Sequence, residues 1–314
     1  MKKAKIVVLG GGTGLSVLLR GLKTFPVDIT AIVTVADDGG SSGILRKELK
    51  IPPPGDVRNV LVALSEVEPL VEQLFQHRFE NGNGLSGHSL GNLLLAGMTS
   101  ITGDFAKGVQ ELSKVLNVKG KVLPAANREI ILHAEMEDGT FVEGESSIPK
   151  SGKRIKRIFL EPARPQPLQE TLTALEEADL IVLGPGSLYT SVIPNLLVPQ
   201  IADVIKSSKA WKVYICNVMT QRGETGGFTA ADHAKAIYDH VGEQLLNAIL
   251  VNTESIPFSY AQRYAQQGAE EVVVDKDRLV KMGLDVVGEE LLYFEDYLLR
   301  HDGLKLSQRL VSML

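Results

Sequence analysis

Lys5-Ile6-Val7-Val8-Leu9-Gly10-Gly11-Gly12-Thr13-Gly14-Leu15-Ser16 is the stretch whose reading decides the fold. Lys5 to Leu9 is a short β-branched run, and the glycines that end it give way to Leu15, Leu18, Leu19 and Leu22 at helical spacing. Strand, glycine loop, helix is the order this predicts. The next apolar run, Ile29 to Ala36, reads as a second buried strand, so a β-α-β unit opens the chain and a parallel sheet is expected. The fold class that follows is α/β, a Rossmann-like three-layer fold with a mostly parallel sheet.

Downstream, Pro52 to Pro54 stop regular structure, Asp56 reads as a helix N-cap, and helical spacing runs from Val57 to the region of Phe79. Leu90 to Met98 is almost wholly apolar and reads as a buried helix; Phe105, Val109, Leu112 and Leu116 mark an amphipathic one. Short β-rich runs then predict an insertion at about 122–160, with a hairpin turn at Glu137-Asp138-Gly139. Alternation resumes with a helix near Leu168 to Leu175 and strands at Leu180 to Leu183, Val213 to Asn217, Ala248 to Asn252 and Glu271 to Asp275. A helix from Leu304 to Met313 ends it. Residues 1–314 read as a single domain carrying that insertion.

Composition narrows the function classes. A chain of 314 residues, 44% hydrophobic, can bury a full core. The net charge of −5 leaves no electrostatic footprint for nucleic acid, and the basic run Lys150 to Arg157 holds no aromatic residue for stacking, so it reads as a solvated loop. Cys216 is the sole cysteine, which excludes an intrachain disulfide and a thiolate metal cluster and suits a reducing compartment. No apolar run approaches the roughly 18 residues of a membrane helix, and Ile6 to Leu9 is too short for a signal core, so no transmembrane segment and a cytoplasmic location are expected.

Gly11, Gly12, Thr13 and Gly14 stand where missing Cβ atoms let phosphates reach the backbone and where the amides of a helix N-terminus face an anion. The strict dinucleotide fingerprint fails at Leu15, and no Lys-Ser/Thr pair makes a P-loop. Asp37 and Asp38 follow the second strand about 20 residues past the loop, where a dinucleotide fold holds its ribose-binding acid. As adjacent carboxylates near a phosphate they could instead recruit Mg²⁺, with the amides and hydroxyl of the following turn, Ser41 included, as further donors. His88 and Asn92, four apart at the start of the oily helix, face one way, toward a ligand or as a satisfied buried pair. Gly184-Pro185-Gly186-Ser187 ends a further strand, and Asn217 with Thr220 to Gly227 ends the one after it. Open parallel sheets bind ligands beyond their carboxyl strand ends, so these three loops are expected to converge on one crevice. No Gly-x-Ser-x-Gly elbow is present, Cys216 sits inside an apolar strand pattern, and nucleophilic catalysis has no candidate.

Five motifs, Gly10-Gly11-Gly12-Thr13-Gly14-Leu15-Ser16, Val35-Ala36-Asp37-Asp38-Gly39-Gly40-Ser41-Ser42-Gly43, Pro53-Pro54-Gly55-Asp56-Val57-Arg58-Asn59, Gly87-His88-Ser89-Leu90-Gly91-Asn92 and Gly184-Pro185-Gly186-Ser187-Leu188-Tyr189-Thr190-Ser191, together closely resemble the bacterial gluconeogenesis factor family, also called YvcK-like. The resemblance runs nearly end to end. It implies a Rossmann-like fold, binding of UDP-sugars such as UDP-N-acetylglucosamine, and a regulatory role in cell shape and growth on gluconeogenic carbon sources, without an established reaction. It also implies that Thr13, Tyr264 and Arg300 serve nucleotide-sugar binding; by pattern alone Tyr264 is a helix-face core residue. More distantly the chain resembles the 2-phospho-L-lactate transferases. The expectation is a UDP-sugar-binding regulator with protein partners, and a homo-oligomer is compatible with the sequence. The rivals are an Mg²⁺-dependent phospho-group transferase and an NAD-binding oxidoreductase, since NAD shares the ribose-diphosphate pattern.

Overall fold

The computed structural model describes residues 3–242, 244–295 and 298–314. The apolar run at the start forms β1 (Lys5–Gly10), followed by α1 (Gly12–Leu22) and β2 (Asp28–Val33). Four helices come next, α2 (Gly40–Leu49), α3 (Gly55–Leu64), α4 (Pro69–Gln76) and α5 (Leu90–Thr102), then α6 (Phe105–Val115) and β3 (Lys121–Pro124). Strands β4 (Ile131–Met136), β5 (Phe141–Glu143) and β6 (Ile155–Glu161) make a small antiparallel sheet in the order β5-β4-β6. Alternation returns with α7 (Gln169–Glu176), β7 (Leu180–Leu183), a π-turn at Leu188–Val192 leading into α8 (Ile193–Leu196), α9 (Ile201–Ser207) and β8 (Trp211–Ile215). Then follow α10 (Ala230–Val241), β9 (Ala248–Asn252), α11 (Phe258–Gln266), α12 (Lys276–Lys281) and β10 (Asp285–Glu289). An antiparallel pair, β11 (Leu292–Glu295) and β12 (Leu298–His301), and α13 (Gly303–Val311) complete the chain.

The main sheet has seven strands in the order β10-β9-β8-β7-β1-β2-β3, and every pairing within it is parallel. Parallel strands need covered faces, and Ile6, Val8, Leu9, Ile181, Val182 and Ile215 are accordingly sealed from solvent. The chain winds outward from β1 to β3, then returns to β7 on the other side of β1. The topological switch point therefore lies between β1 and β7, where ligands enter open α/β sheets. The α/β, mostly parallel architecture expected from the sequence is the one observed. Among the described residues no single helix is long and apolar enough to cross a membrane.

Several boundaries differ from expectation. Val122 and Leu123 belong to β3, the edge of the main sheet, and the β-rich insertion starts only at β4; a short apolar run reads alike in either sheet. β2 leaves the ladder at Val33, although Val35 and Ala36 stay buried, because burial and strand pairing part company where the chain bends toward the switch point. The helical spacing from Val57 to Phe79 is two helices, α3 and α4, and Asp56 lies inside the first turn of α3, with Pro54 at the cap position. α5 buries Leu95 and Ala96 but leaves Ile101 81% exposed, so the oily helix has one wet side. The strand expected at Glu271 to Asp275 is a single bridge from Glu271 to Met219, with β10 taking the sheet edge instead.

The last helix closes the structure against the first. A Cβ on Gly21 would overlap the Gly303 carbonyl and the Ser307 hydroxyl, and Ser307 Oγ lies 2.6 Å from Gly303 O and 3.3 Å from Leu18 O. Alanine at Gly21 would gain about 1 kcal/mol of helix propensity, so destabilisation there reports the overlap alone. Gly21→Ala is expected to cost about 1–3 kcal/mol net and to lower Tm by several degrees in a thermal melt; an unchanged or raised Tm would show that α1 and α13 can part freely.

Candidate functional site

The glycine loop gets its shape from what surrounds it. Gly11 has no room for a side chain, because a Cβ there would lie 2.5 Å from Asp56 Oδ2 and 2.7 Å from Thr34 Cγ2. Gly14 is pressed against the Pro185 carbonyl, 2.9 Å from the same hypothetical atom, and Gly12 adopts φ +67. The turn after β1 and the turn after β7 thus meet backbone to backbone, which only glycine permits. α1 has Gly11 at its cap and no side chain capping it, so its first amides rely on other partners. The Asp56 carboxylate takes the Gly12 N–H.

The other loops close on the same seam. Asn217 Nδ2 donates to the Gly186 carbonyl at 3.1 Å, and Gln221 Nε2 to Ser187 Oγ at 2.9 Å. Glu224 accepts from the Thr190 hydroxyl at 3.2 Å and the Tyr189 N–H at 3.3 Å. Gly186, Ser187 and Asn217 are therefore brought together beside Gly11 to Gly14.

The aspartate pair separates. Asp37 accepts the Gly39 N–H at 2.9 Å and faces Asp56, whereas Asp38 turns to the insertion, accepts the Ser146 N–H at 2.8 Å and packs against Gly144. The carboxylates that interact are Asp37 and Asp56. Burial, and then the charge of Asp37, pushes the Asp56 carboxyl from 3.8 up to about 7; burial pushes Glu224 up to about 7. Glu145, from the insertion, is raised well above the usual range by burial and by the charges of Asp56, Asp37, Glu224 and Asp38, and its Oε2 is shielded without a donor. Asp56, Glu145 and Glu224 are site residues the sequence reading did not select. The Pro-Gly-Asp turn before α3 was a local signal for Asp56, and the loop Thr220 to Gly227 held Glu224 unremarked; Glu145 left none.

Ser41, His88 and Asn92 form one buried group. Asn92 Nδ2 donates to Ser41 Oγ at 3.1 Å, and Ser41 Oγ lies 2.9 Å from His88 Nδ1. The shared direction of His88 and Asn92 serves to clamp the first turn of α2, and with it the loop that carries Asp37. Cys216 is buried and burial pushes its thiol up, away from thiolate chemistry.

Thr13 and Arg300 face one space. Both line a cavity of 250 Å³ with Ser16, Val17, Arg20, Asn59, Gln76 and Glu295. Arg300 stands on β12, 3.7 Å from Glu295, and its Nε has no acceptor. Tyr264 lies behind that strand, in a small cluster with Val218, Met219, Leu292 and Leu299. Its hydroxyl receives the Leu299 N–H at 3.0 Å and donates to the Leu299 carbonyl at 3.3 Å, so it fixes the residue next to Arg300. A larger cavity of 590 Å³ sits at the opposite, amino ends of the strands, lined by Lys5, Val7, Asp28 and Lys121, and no motif reaches it. Among the described residues no group of three or more His, Cys, Asp or Glu side chains is placed to hold a metal ion.

Residues 6–292 match the family described as 2-phospho-L-lactate transferase CofD. The chain is 68% identical over 312 residues to a gluconeogenesis factor of Halalkalibacterium halodurans, covering 99% of this chain and 97% of that one. It is 61% identical over 313 residues to a gluconeogenesis factor of Bacillus subtilis, covering 100% and 99%. The X-ray crystal structure of a Bacillus halodurans protein superimposes with a TM-score of 0.97 at 68% identity, over 99% of this chain and 100% of that one.

The buried carboxyls fix a pH dependence. Between pH 3.8 and about 7 native Asp56 holds a proton that the unfolded chain has released, so this group's stabilising contribution falls as pH rises through that window. Buried His233 and half-buried His240 and His301, with lowered pKa values, work in the opposite direction. The readout is therefore a difference: in urea unfolding, Asp56→Asn should gain stability relative to the parent chain as pH rises from about 5 to about 8. A constant difference across that range would show that Asp56 is not held protonated.

Proposed function

The chain belongs to the CofD family and, within it, to the gluconeogenesis factors, and on that premise we propose that it is a regulatory factor that binds a UDP-sugar of the UDP-N-acetylglucosamine type at the switch point. The observation that carries this reading is that Thr13 and Arg300, from opposite ends of the chain, line one cavity beside the glycine loop. The diphosphate lies on the amides of Gly11, Thr13 and Gly14 and the Thr13 hydroxyl, the Gly12 N–H being held by Asp56, where the helix N-terminus favours negative charge. Arg300, whose Nε lacks an acceptor, neutralises phosphate charge, and Tyr264 holds its strand in place. Asp37 is the acid available to a ribose hydroxyl, since Asp38 is committed to Ser146.

A regulatory role is supported by the chemistry of the loops. Thr190 donates its hydroxyl to Glu224, Ser187 accepts from Gln221, and the thiol of Cys216 is buried. Ligand occupancy is transmitted to protein partners, in the cytoplasm, in the control of cell shape and of growth on gluconeogenic carbon sources; the names of the relatives support the second of these. NAD, with the same ribose-diphosphate pattern, competes for the cleft.

A second reading rests on the facing carboxylates Asp37 and Asp56. One or two carboxylates plus ligand phosphates suffice for Mg²⁺, and with the family described as a transferase this pair would hold the ion for transfer of a phospho-group. Turnover of a nucleoside diphosphate donor with Mg²⁺, lost in Asp37→Asn, would establish it; no turnover across a broad acceptor panel would remove it.

Thermal unfolding tests the first reading. UDP-N-acetylglucosamine at about 100 times its Kd should stabilise by roughly 2.7 kcal/mol, a shift of several degrees at about 2–4 °C per kcal/mol. Thr13→Ala and Arg300→Ala should abolish the shift, and Tyr264→Phe should reduce it. A chain that no UDP-sugar stabilises, or that responds to NAD alone, would end this reading.

A further inference from the structure

We infer that the cavity along the outer face of α1 is the sugar-selecting part of the site, a subsite for a neutral, hydroxyl-rich ring in which Gln76 and Asn59 read hydroxyl groups. This inference rests on the UDP-sugar reading and deepens it.

Three walls define the cavity. Thr13, Ser16, Val17 and Arg20 recur at helical spacing and so lie on one face of α1; Asn59 of α3 and Gln76 of α4 stand opposite, and Glu295 and Arg300 of the β11–β12 pair close the third side. At 250 Å³ it is smaller than the roughly 300–1,000 Å³ that houses a whole small-molecule ligand, so it takes one moiety of a larger one.

Charge along the cavity is graded. Arg300 pairs with Glu295 across 3.7 Å, beyond hydrogen-bond distance, a loose ion pair that a phosphate can compete for. At the far end Arg20 Nη2 is bonded to Glu72 at 3.3 Å, so its charge is answered within the protein. A second phosphate would find no unanswered cation there. The polar atoms that remain suit hydroxyls. Asn59 Oδ1 accepts from Arg58 Nη2 at 2.7 Å, which turns the Asn59 amide nitrogen into the available donor. Ser16 Oγ donates to the Gly12 carbonyl at 3.3 Å and keeps its accepting lone pairs. Gln76 carries a donor and an acceptor on one amide, the pairing that vicinal hydroxyls satisfy. Among the described residues the lining is polar apart from Val17. A saccharide attached to the diphosphate can use each of these donors and acceptors.

Calorimetric titration of the full chain with UDP, UDP-glucose and UDP-N-acetylglucosamine tests the assignment, with melts to confirm that the variants fold; Gln76 is exposed, so its replacement leaves the core untouched. The parent chain should bind the UDP-sugars more tightly than UDP. Gln76→Ala should weaken the UDP-sugars roughly two- to tenfold, the loss of one neutral hydrogen bond, and leave UDP unchanged; Gln76→Leu, which also fills the space, should weaken them further. Arg300→Ala should weaken UDP and UDP-sugars alike. If the parent chain binds UDP-sugars and both Gln76 variants bind them as tightly, or lose UDP equally, the subsite is overturned while the ligand reading stands. If the parent chain binds no UDP-sugar, both fall.

Discussion

Two chain reversals touch at the centre of the sheet, and much of the molecule is arranged around their approach. The turn after β1 and the turn after β7 lie side by side because the strand order reverses there, and Gly14 abuts the Pro185 carbonyl with no space for a side chain. Backbone against backbone leaves amides without local partners, and buried amides need acceptors. Asp56, reaching across from α3, supplies one for Gly12. Asn195 donates to the Gly10 carbonyl at 3.2 Å, and Asn217 to that of Gly186. Each neighbouring element enters the site by satisfying a group this contact exposes.

That arrangement places acidic side chains in a shielded space. Asp37, Asp56, Glu145 and Glu224 come from four separate segments; burial with neighbouring negative charge favours the protonated form of Asp56 and Glu145, and burial that of Glu224. The insertion contributes here as a wall: Asp38 binds Ser146, and Glu145 follows it inward. A cation beside such a carboxyl cluster would favour release of its protons and an anion their retention, because each charge alters the field at the others. On the opposite flank, the β11–β12 pair is held by Tyr264 and by His301, whose Nε2 lies 3.1 Å from the Cys216 carbonyl. Arg300 is thus carried by a strand fastened on both sides of it.

The local pattern was legible wherever one period ruled. β1, α1 and β7 appear close to where apolar spacing puts them, since buried parallel strands and amphipathic helices leave unambiguous signatures. The convergence of the glycine loop with the turns at Gly186 and Asn217 was also legible, as a rule about strand ends. Legibility failed where a role depends on a distant partner. Asp37 and Asp38 are chemically identical neighbours, yet one faces Asp56 and the other Ser146. Val122 reads as insertion or as main sheet with equal right, and only its pairing with Ala31 decides. β10 and the β11–β12 pair left no signal, being short, half-exposed and mixed in polarity.

By itself the sequence determined the class of fold, the strand-loop-helix opening and the set of loops that bear small, hydrogen-bonding residues, because those follow from spacing and from the conformational freedom of glycine. Tertiary structure alone decided which acid meets which, that Ser41 is the hydroxyl His88 and Asn92 share, that Tyr264 acts on Arg300 through Leu299, and that α1, α3, α4 and the last strand pair enclose one cavity. The physical reason is range. Periodicity records what each residue does within one turn or one pleat, whereas a binding site is made of side chains that become neighbours only when the sheet has closed.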